Sequence, residues 1–298
     1  MKPGKYLRKT WGSLSYRWLD KWLPAVEAAG RETALPPLAG HVPSGIGAPL
    51  LFFAAADAAY FERYGRAFIA ALLANAPGSG IHIHLFNPTP AQLQLLAELT
   101  GGAVPHFTHS WEHVDLGRHD DERRGRYYYS VRFVRFAEIA AGAGAPCLCL
   151  DIDALLVGPI EELKDRIGSA DLAFYARFDK HGGNTKLLAG TLYVSSSRQA
   201  MAFLRAVGGQ IGRFVARGHL LEKLDQMIIY DFFLRFNRKT PRLKFMALDD
   251  SIVDLRFGGG GLIWYPKGAS KRDRGYCDRL RRFEADFSRR VSHSSGGA

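Results

Sequence analysis

An open, mostly parallel α/β sheet flanked by helices is the fold class this sequence predicts, and three observations predict it. Short apolar runs alternate with stretches of helical periodicity from residue 50 to residue 236. One of those runs, residues 146–159, is almost wholly apolar and closes on Gly158-Pro159, which reads as a strand buried on both faces. No internal repeat, Gly-x-Gly-x-x-Gly fingerprint or Walker-type loop points to another architecture, and the glycine run at 258–261 is too unspecific to name a phosphate site.

Taken in order, residues 1–48 read as a basic and aromatic extension. An amphipathic helix up to Leu23 is followed by Pro36-Pro37 and a Gly/Pro-rich linker that reaches Pro49. The predicted catalytic body spans residues 49–272. Residues 50–56 form its first buried strand, 64–74 a helix, 81–86 an alternating strand stopped by Asn87-Pro88, and 90–100 a second helix. Residues 126–140 continue as a helix that sets Arg132 and Arg135 one turn apart. After the 146–159 strand come strands at 171–176 and 190–194. A helix over 198–211 is capped by the preceding serines, and a helix over 224–236 has Asp225-Gln226 at its head. Residues 273–298 form a basic C-terminal tail. Strand and helix in alternation place ligands beyond the carboxyl ends of the strands.

The 146–159 run carries Asp151 and Asp153, one residue apart, with nothing apolar to account for them. Side chains at i and i+2 of a strand share a face, so the two carboxylates converge. Two anions in a dry setting repel and lose hydration, so a cation is expected beside them. Mn2+ or Mg2+ carrying the phosphates of a ligand suits them, because these ions take oxygen donors from one or two carboxylates plus substrate phosphate. The other reading is a pair of strand-end aspartates neutralised by nearby arginines.

Bulk properties narrow the class. A chain of 298 residues, 47% hydrophobic, buries a core as one large domain with or without appendages. It contains no run of eighteen apolar residues and no secretory pattern in residues 1–12, so a cytoplasmic product is expected. Cys147 and Cys149 share one face of the buried strand as small core fillers, and three cysteines make neither a disulfide framework nor a zinc site. His82, His84, His106, His109, His113 and His119 lack metal-site spacing and read as structural or solvated. A net charge of +11 implies an anionic partner. The basic residues gather at both ends among aromatics such as Trp11, Trp18, Tyr276, Phe283 and Phe287. That mixture suits the anionic inner face of the cytoplasmic membrane, and a solvated tail has the same composition. No nucleic-acid motif is present, and nucleic acid is not among the expected partners.

Five segments then fall in a recognisable order. Ala55-Ala56-Asp57-Ala58-Ala59-Tyr60 closes the first strand; Val131-Arg132-Phe133, or less well Arg135-Phe136, lies on the helix before the acidic strand; Leu150-Asp151-Ile152-Asp153-Ala154-Leu155-Leu156-Val157 follows. Leu188-Ala189-Gly190-Thr191 and Asp225-Gln226 come next. Across residues 50–272 this series resembles the retaining GT-A glycosyltransferases of family 8, which include glycogenin and bacterial lipopolysaccharide galactosyl- and glucosyltransferases. The resemblance implies a GT-A fold and transfer of a hexose, with retention, from a nucleotide-diphosphate sugar such as a UDP-sugar to a glycan, lipid-linked or protein acceptor. It implies that Asp57 and Tyr60 hold the base and that Arg132 reaches phosphate or ribose, a salt bridge to Glu138 or Asp151 being the other reading of that arginine. Asp151 and Asp153 would hold the metal, Ala189 and Gly190 would face the donor sugar, and Asp225 and Gln226 would lie nearest the reaction centre. Asp225 also reads as a helix N-cap.

The chain departs from the family at its C-terminal motif, His-Phe-x-Gly-x-x-Lys-Pro-Trp. Here Gly268 and Lys271 align, but Tyr265 stands where the histidine that ligates the metal belongs. A phenol is a poor ligand at neutral pH, so the resemblance implies a weaker metal, with Lys271 and Lys267 able to neutralise phosphate directly. Two other classes share part of the pattern. A haloacid-dehalogenase-like phosphatase also sets Asp-x-Asp after a buried strand, and a non-enzymatic basic module for nucleic acid or membrane explains the charged ends but not Asp151, Asp153 and Asp225.

Overall fold

The run Leu51-Phe52-Phe53-Ala54-Ala55-Ala56-Asp57 has no charge before its last residue, and it forms strand β2 (Leu51–Asp57) at the middle of an eight-stranded sheet. Its side chains part by the two-residue period: Phe52 and Ala54 enter the core on one face of the sheet, Leu51 and Phe53 the core on the other. A computed structural model describes residues 35–117, 119–180, 185–238 and 243–294, so the predicted N-terminal helix lies outside the described residues.

The strand order is β1 (Ala39–Gly40), β4 (Phe107–Glu112), β3 (Gly80–Phe86), β2, β5 (Cys147–Leu150), β8 (Leu187–Val194), β7 (Leu172–Ala176) and β9 (Phe245–Leu248). The pairs β2–β3, β3–β4, β2–β5 and β7–β9 are parallel; β1–β4, β5–β8 and β7–β8 are antiparallel. The chain winds outward from β2 through β3 to β4, then returns to lay β5 on the other side of β2. That reversal is the switch point at which an open α/β sheet leaves a crevice beyond its strand ends. Asp57 closes β2 and Asp151 follows β5 directly, so both stand at this crevice.

Helices cover both faces. In chain order they are α1 (Arg66–Asn75), α2 (Pro90–Glu98), α3 (Asp121–Ala143), α4 (Ile160–Ile167), α5 (Arg198–Ala216), α6 (Leu224–Asn237) and α7 (Arg274–Ser294). α1 and α7 pack together on one core; α3, α5 and α6 build the other. A π-wound turn, Phe61–Gly65, leads into α1, and Thr89 with Gln92 makes a reciprocal capping box at the start of α2. Ser197 caps α5 by accepting from the Ala200 N–H, as the preceding serines predict.

The long strand predicted over 146–159 is two strands in two sheets. β5 ends at Leu150, Asp151 to Asp153 turn through a backbone bond from the Ala154 N–H to the Asp151 carbonyl (2.9 Å), and β6 (Leu155–Leu156) joins a small second sheet. There it pairs antiparallel with β11 (Ile263–Trp264), whose other neighbour is β10 (Val253–Asp254). Hydrophobicity is continuous across the break because both strands and the turn are buried, so composition hides it. β8 likewise starts earlier than predicted and contains Ala189 and Gly190. Strand β4 was not foreseen: its inward groups include His109 and Ser110, which read as polar in sequence. Ser110 bonds both His82 (2.9 Å) and His84 (2.9 Å) between strands, and burial pushes the His82 imidazole down to about 3, so these histidines are neutral structural groups.

Residues 274–294, read from sequence as part of a tail, are built into the body. Tyr276, Phe283 and Phe287 are buried against the first core, Leu280 packs partly against it, and the arginines face outward. The spacing 276, 280, 283, 287 is one helix face. The aromatics that suggested a membrane interface at this end are therefore core residues. The Tyr276 hydroxyl donates to the Asp153 carbonyl at 2.6 Å, tying the C-terminal helix to the acidic turn. Replacing Tyr276 with Phe removes that bond and leaves a buried carbonyl unpaired, an expected loss of about 1–2 kcal/mol in urea unfolding. Deleting residues 274–298 uncovers the apolar face of α1, and the expected result is loss of the cooperative unfolding transition followed by circular dichroism.

Candidate active site

Arg132 lies on the face of α3 that looks toward the crevice. Its guanidinium makes an ion pair with Asp151 Oδ1 and a second with Asp225 Oδ2 at 3.3 Å. These three side chains come from α3, from the turn after β5 and from the first turn of α6. Asp225 is not a cap: Lys223, in a left-handed conformation, occupies the N-cap position, and Asp225 Oδ1 accepts from the Gln226 N–H at 2.8 Å. Gln226 is half-buried next to it. Tyr129 on α3 steadies the entry to α6, its hydroxyl donating to the Leu221 carbonyl (3.3 Å) and accepting from the Lys223 N–H (3.3 Å).

The second oxygen of Asp151 accepts from the Tyr265 hydroxyl. Gly190 makes this contact possible. A Cβ at that position would sit within clashing distance of both the phenol oxygen and the carboxylate, so the glycine here provides room and not a turn. Asp151 is further tied to β8 by its N–H, which donates to the Gly190 carbonyl at 3.0 Å. Ala189, its neighbour on β8, points the opposite way into the second core.

On the other flank, Asp153 is 3% exposed and its Oδ2 pairs with the Lys271 ammonium at 2.6 Å. Lys271 also donates to the Tyr60 hydroxyl at 2.9 Å, and its nitrogen lies 5.0 Å from the centre of that ring. Tyr60, at 42%, is among the most exposed large aromatics of the described residues. It is held by Asp57, which caps the turn Ala58–Tyr60 by accepting from the Tyr60 N–H at 2.8 Å. Lys271 stands in a short 3-10 turn opened by Gly268, whose φ of +58° lies in the region that favours glycine.

The electrostatics follow from burial. Desolvation pushes the Asp225 carboxyl up to about 6, with Arg132 pulling the other way, and desolvation followed by the charge of Asp151 pushes Asp153 up to about 6 against the pull of Lys271. Burial lowers the affinity of Arg132 and Lys271 for their protons, but the carboxylates beside each more than offset this, and both stay cationic. Tyr265 keeps its proton: burial, then Asp151 and Asp153, raise it well above its ordinary value.

The donor set does not suit a resident Mn2+ or Mg2+, the ions expected on Asp151 and Asp153. Both oxygens of Asp151 are engaged by a guanidinium and a phenol, and the Asp153 oxygen that faces the cleft holds an ammonium. Tyr265 offers a protonated hydroxyl, a poor ligand at neutral pH, and among the described residues no three His, Cys, Asp or Glu side chains are placed to hold one metal ion together.

Asp57, Tyr60, Arg132, Asp151, Asp153, Gly190, Asp225, Gln226, Gly268 and Lys271 thus gather around the switch point, whereas the side chain of Ala189 does not reach it. Arg135, the alternative to Arg132, is instead locked in the core between Glu112, Glu138 (2.8 Å) and the Pro36 carbonyl (2.6 Å). A cavity of about 680 Å³ also lies on that side, lined by Pro36, Arg135, Glu138, Gly209, Gly212 and Arg213, with none of the crevice groups in its wall. Sequence reading missed Tyr276, although its helical spacing with Phe283 and Phe287 was the signal that places it.

No protein-family model and no curated protein matches the chain. Solved structures do. The glycosyltransferase GlyE of Streptococcus pneumoniae TIGR4 is similar with a TM-score of 0.51 and 15% identity over 83% of this chain and 62% of that one. Its apo form gives 0.51 and 14% over 83% and 64%. The galactosyltransferase LgtC, solved with donor and acceptor sugar analogs, gives 0.48 and 16% over 77% and 82%. The chain spans less than two thirds of the length of GlyE. What this likeness establishes is the fold: a mixed α/β sheet flanked by helices, of the GT-A type found in glycosyltransferases.

Proposed function

We propose that the chain is a glycosyltransferase that moves a hexose from a nucleotide-diphosphate sugar, a UDP-sugar in the first instance, to a glycan, lipid-linked or protein acceptor. The observation that carries this reading is the meeting, at the switch point of a GT-A sheet, of Arg132, Asp151 and Asp225 with the Lys271, Asp153 and Tyr60 group. Fold alone does not give a function; the site does. Tyr60 offers a face on which a base stacks, and Asp57 stands beside it at the strand end.

The chemistry asks for positive charge where the bond from sugar carbon to phosphate oxygen breaks, because the diphosphate leaves as an anion. Lys271 and Arg132 supply fixed positive charge at that place. Negative charge is wanted where the sugar carbon becomes electron-poor, and Asp225 supplies it, with Gln226 orienting the sugar. Gly190 makes room for the contact of Tyr265 with Asp151, which forms the floor on which the sugar would rest. The family resemblance implies retention, which takes either a nucleophile beneath the sugar or attack on the same face as the departing diphosphate; the role proposed for Asp225 and Gln226 is to orient the sugar and stabilise its positive charge, with no covalent intermediate. We further propose a cytoplasmic site of action. Among the described residues no helix is long and apolar enough to cross a membrane. Contact with an anionic membrane surface would rest on the exposed arginines of α7, among them Arg281 and Arg289, each of which also pairs with an aspartate on its own helix.

Incubation with UDP-, GDP- and CDP-hexoses, with release of the nucleoside diphosphate as the readout, is expected to show turnover of one of them. No release from any of the three would count against the reading. Asp225→Asn is expected to lose at least about 100-fold in kcat, an effect of about 3 kcal/mol on the transition state. The same variant should unfold at higher denaturant. Asp225 has a folded-state pKa of about 6, above the ordinary carboxyl value. Native protein therefore binds more protons than unfolded chain between about pH 4 and 6, and keeping Asp225 ionised costs on the order of 3 kcal/mol above pH 6. The stability advantage of Asp225→Asn is thus full at pH 7.5, shrinks as pH falls through 6, and is gone near pH 4. Wild-type kcat should fall over the same interval as Asp225 takes up its proton.

A further inference from the structure

We propose that this site, on the reading of it as a nucleotide-sugar site, takes the diphosphate without a divalent cation: Lys271 and Arg132 supply the charge, and Tyr265 excludes the metal by occupying Asp151. Three observations carry the inference.

The first is the occupancy of the carboxylates. Asp151 accepts from Arg132 on one oxygen and from the Tyr265 hydroxyl on the other; Asp225 accepts from Arg132 and from the Gln226 N–H; Asp153 accepts from Lys271. A cation entering here would have to displace two protein cations and a phenol and would find two carboxylates in return.

The second is the placement of Lys271. Its ammonium lies between a buried acid and the most exposed edge of the site, 2.6 Å from Asp153 and 2.9 Å from the hydroxyl of Tyr60. A diphosphate whose base lies on Tyr60 arrives next to that ammonium. The nitrogen has three donors and two partners here, which leaves one proton for a phosphate oxygen with Asp153 still paired. A metal ion would need to occupy the same space.

The third is the charge of the rim. Three carboxylates face two cations inside the site, too few for an anionic ligand. Lys267, two residues beyond Tyr265, adds an exposed ammonium, and it feels the positive charges of Arg177 at the end of β7 and Lys223 at the head of α6. Lys223 already shares its charge with Glu222 at 3.1 Å, which leaves Lys267 and Arg177 as the cations at this edge. Lys267 and Arg177 thus place positive charge at the mouth, where an anionic diphosphate enters.

Calorimetric titration of UDP into the full chain, freed of metal by EDTA, tests this. UDP is expected to bind in EDTA, and adding Mn2+ should change the Kd by less than about threefold. Lys271→Met should weaken binding at least about tenfold in both conditions, whereas Lys271→Arg, which keeps the charge and controls for folding, should recover most of the loss. Tyr265→His adds an imidazole to the two aspartates, and its Kd should become at least about tenfold tighter with Mn2+. Wild-type binding that appears only with Mn2+, or binding indifferent to Lys271→Met, overturns the inference and leaves the nucleotide-sugar reading in place. Absence of binding by UDP, GDP and CDP in both arms overturns both.

Discussion

Asp225, buried, and Asp151, half-buried, are two carboxylates within reach of one guanidinium, and the arrangement of the crevice depends on that guanidinium. Arg132 bridges a turn that follows a central strand and the first turn of a helix more than seventy residues later. Without it, two anions would face each other with one of them, Asp225, shut off from water, and the ends of β5 and α6 would be driven apart. With it, the two side chains are held at fixed positions on one cation. The phenol of Tyr265 then has a defined acceptor, and Gly190 leaves that contact its space. The register of α3, which puts Arg132 toward the crevice and Arg135 into the core with Glu112, decides which of two similar arginines does this work.

The crevice is also tied mechanically to the core. The acidic turn is held from below by a backbone bond to β8 and from the side by the Tyr276 hydroxyl. Since Tyr276 belongs to a helix whose apolar face packs on α1, the C-terminal segment is a strut for the turn as well as a lid on the core. Such rigid support is what electrostatic preorganisation needs, because charges that must not relax have to be held by packing. The raised proton affinities of Asp153 and Asp225 are the cost of that arrangement, and active sites commonly carry such a cost.

At 14–15% identity to GlyE, the shared property is the layout of sheet and helices, not the side chains. Layout matters because the reversal of strand order at β2 and β5 opens a crevice whatever residues line it. What is done there depends on those residues. In this chain they form two linked groups, one around Arg132 and one around Lys271, joined through Asp151 and Asp153 on either side of Ile152 in a single turn.

Much of the fold was legible in the amino-acid sequence. Apolar runs of strand length between helical stretches gave the α/β class and most of the elements, since hydrophobic period reports directly on which faces are buried. The acidic pair stood out because charge within an apolar run has no packing reason to be there; Arg132 and Asp225-Gln226 stood on the flanking helices and gained their roles from the family resemblance, and Lys271 was picked out by that resemblance alone. Less was legible where burial is uniform. The break between β5 and β6 is hidden in a continuous apolar run, and β4 carries buried histidine and serine that look like surface. The tail of basic and aromatic residues hid an amphipathic helix. By itself, then, the sequence determined which residues are apolar, which are charged and with what period they recur, and this sets the fold class and the candidates. Only the tertiary structure decided the pairings: Arg132 with Asp151 and Asp225, Lys271 with Asp153, and Tyr265 on the last free oxygen of Asp151. Those contacts join residues up to 118 positions apart along the chain, and no local pattern specifies a distance that only the packed sheet brings about.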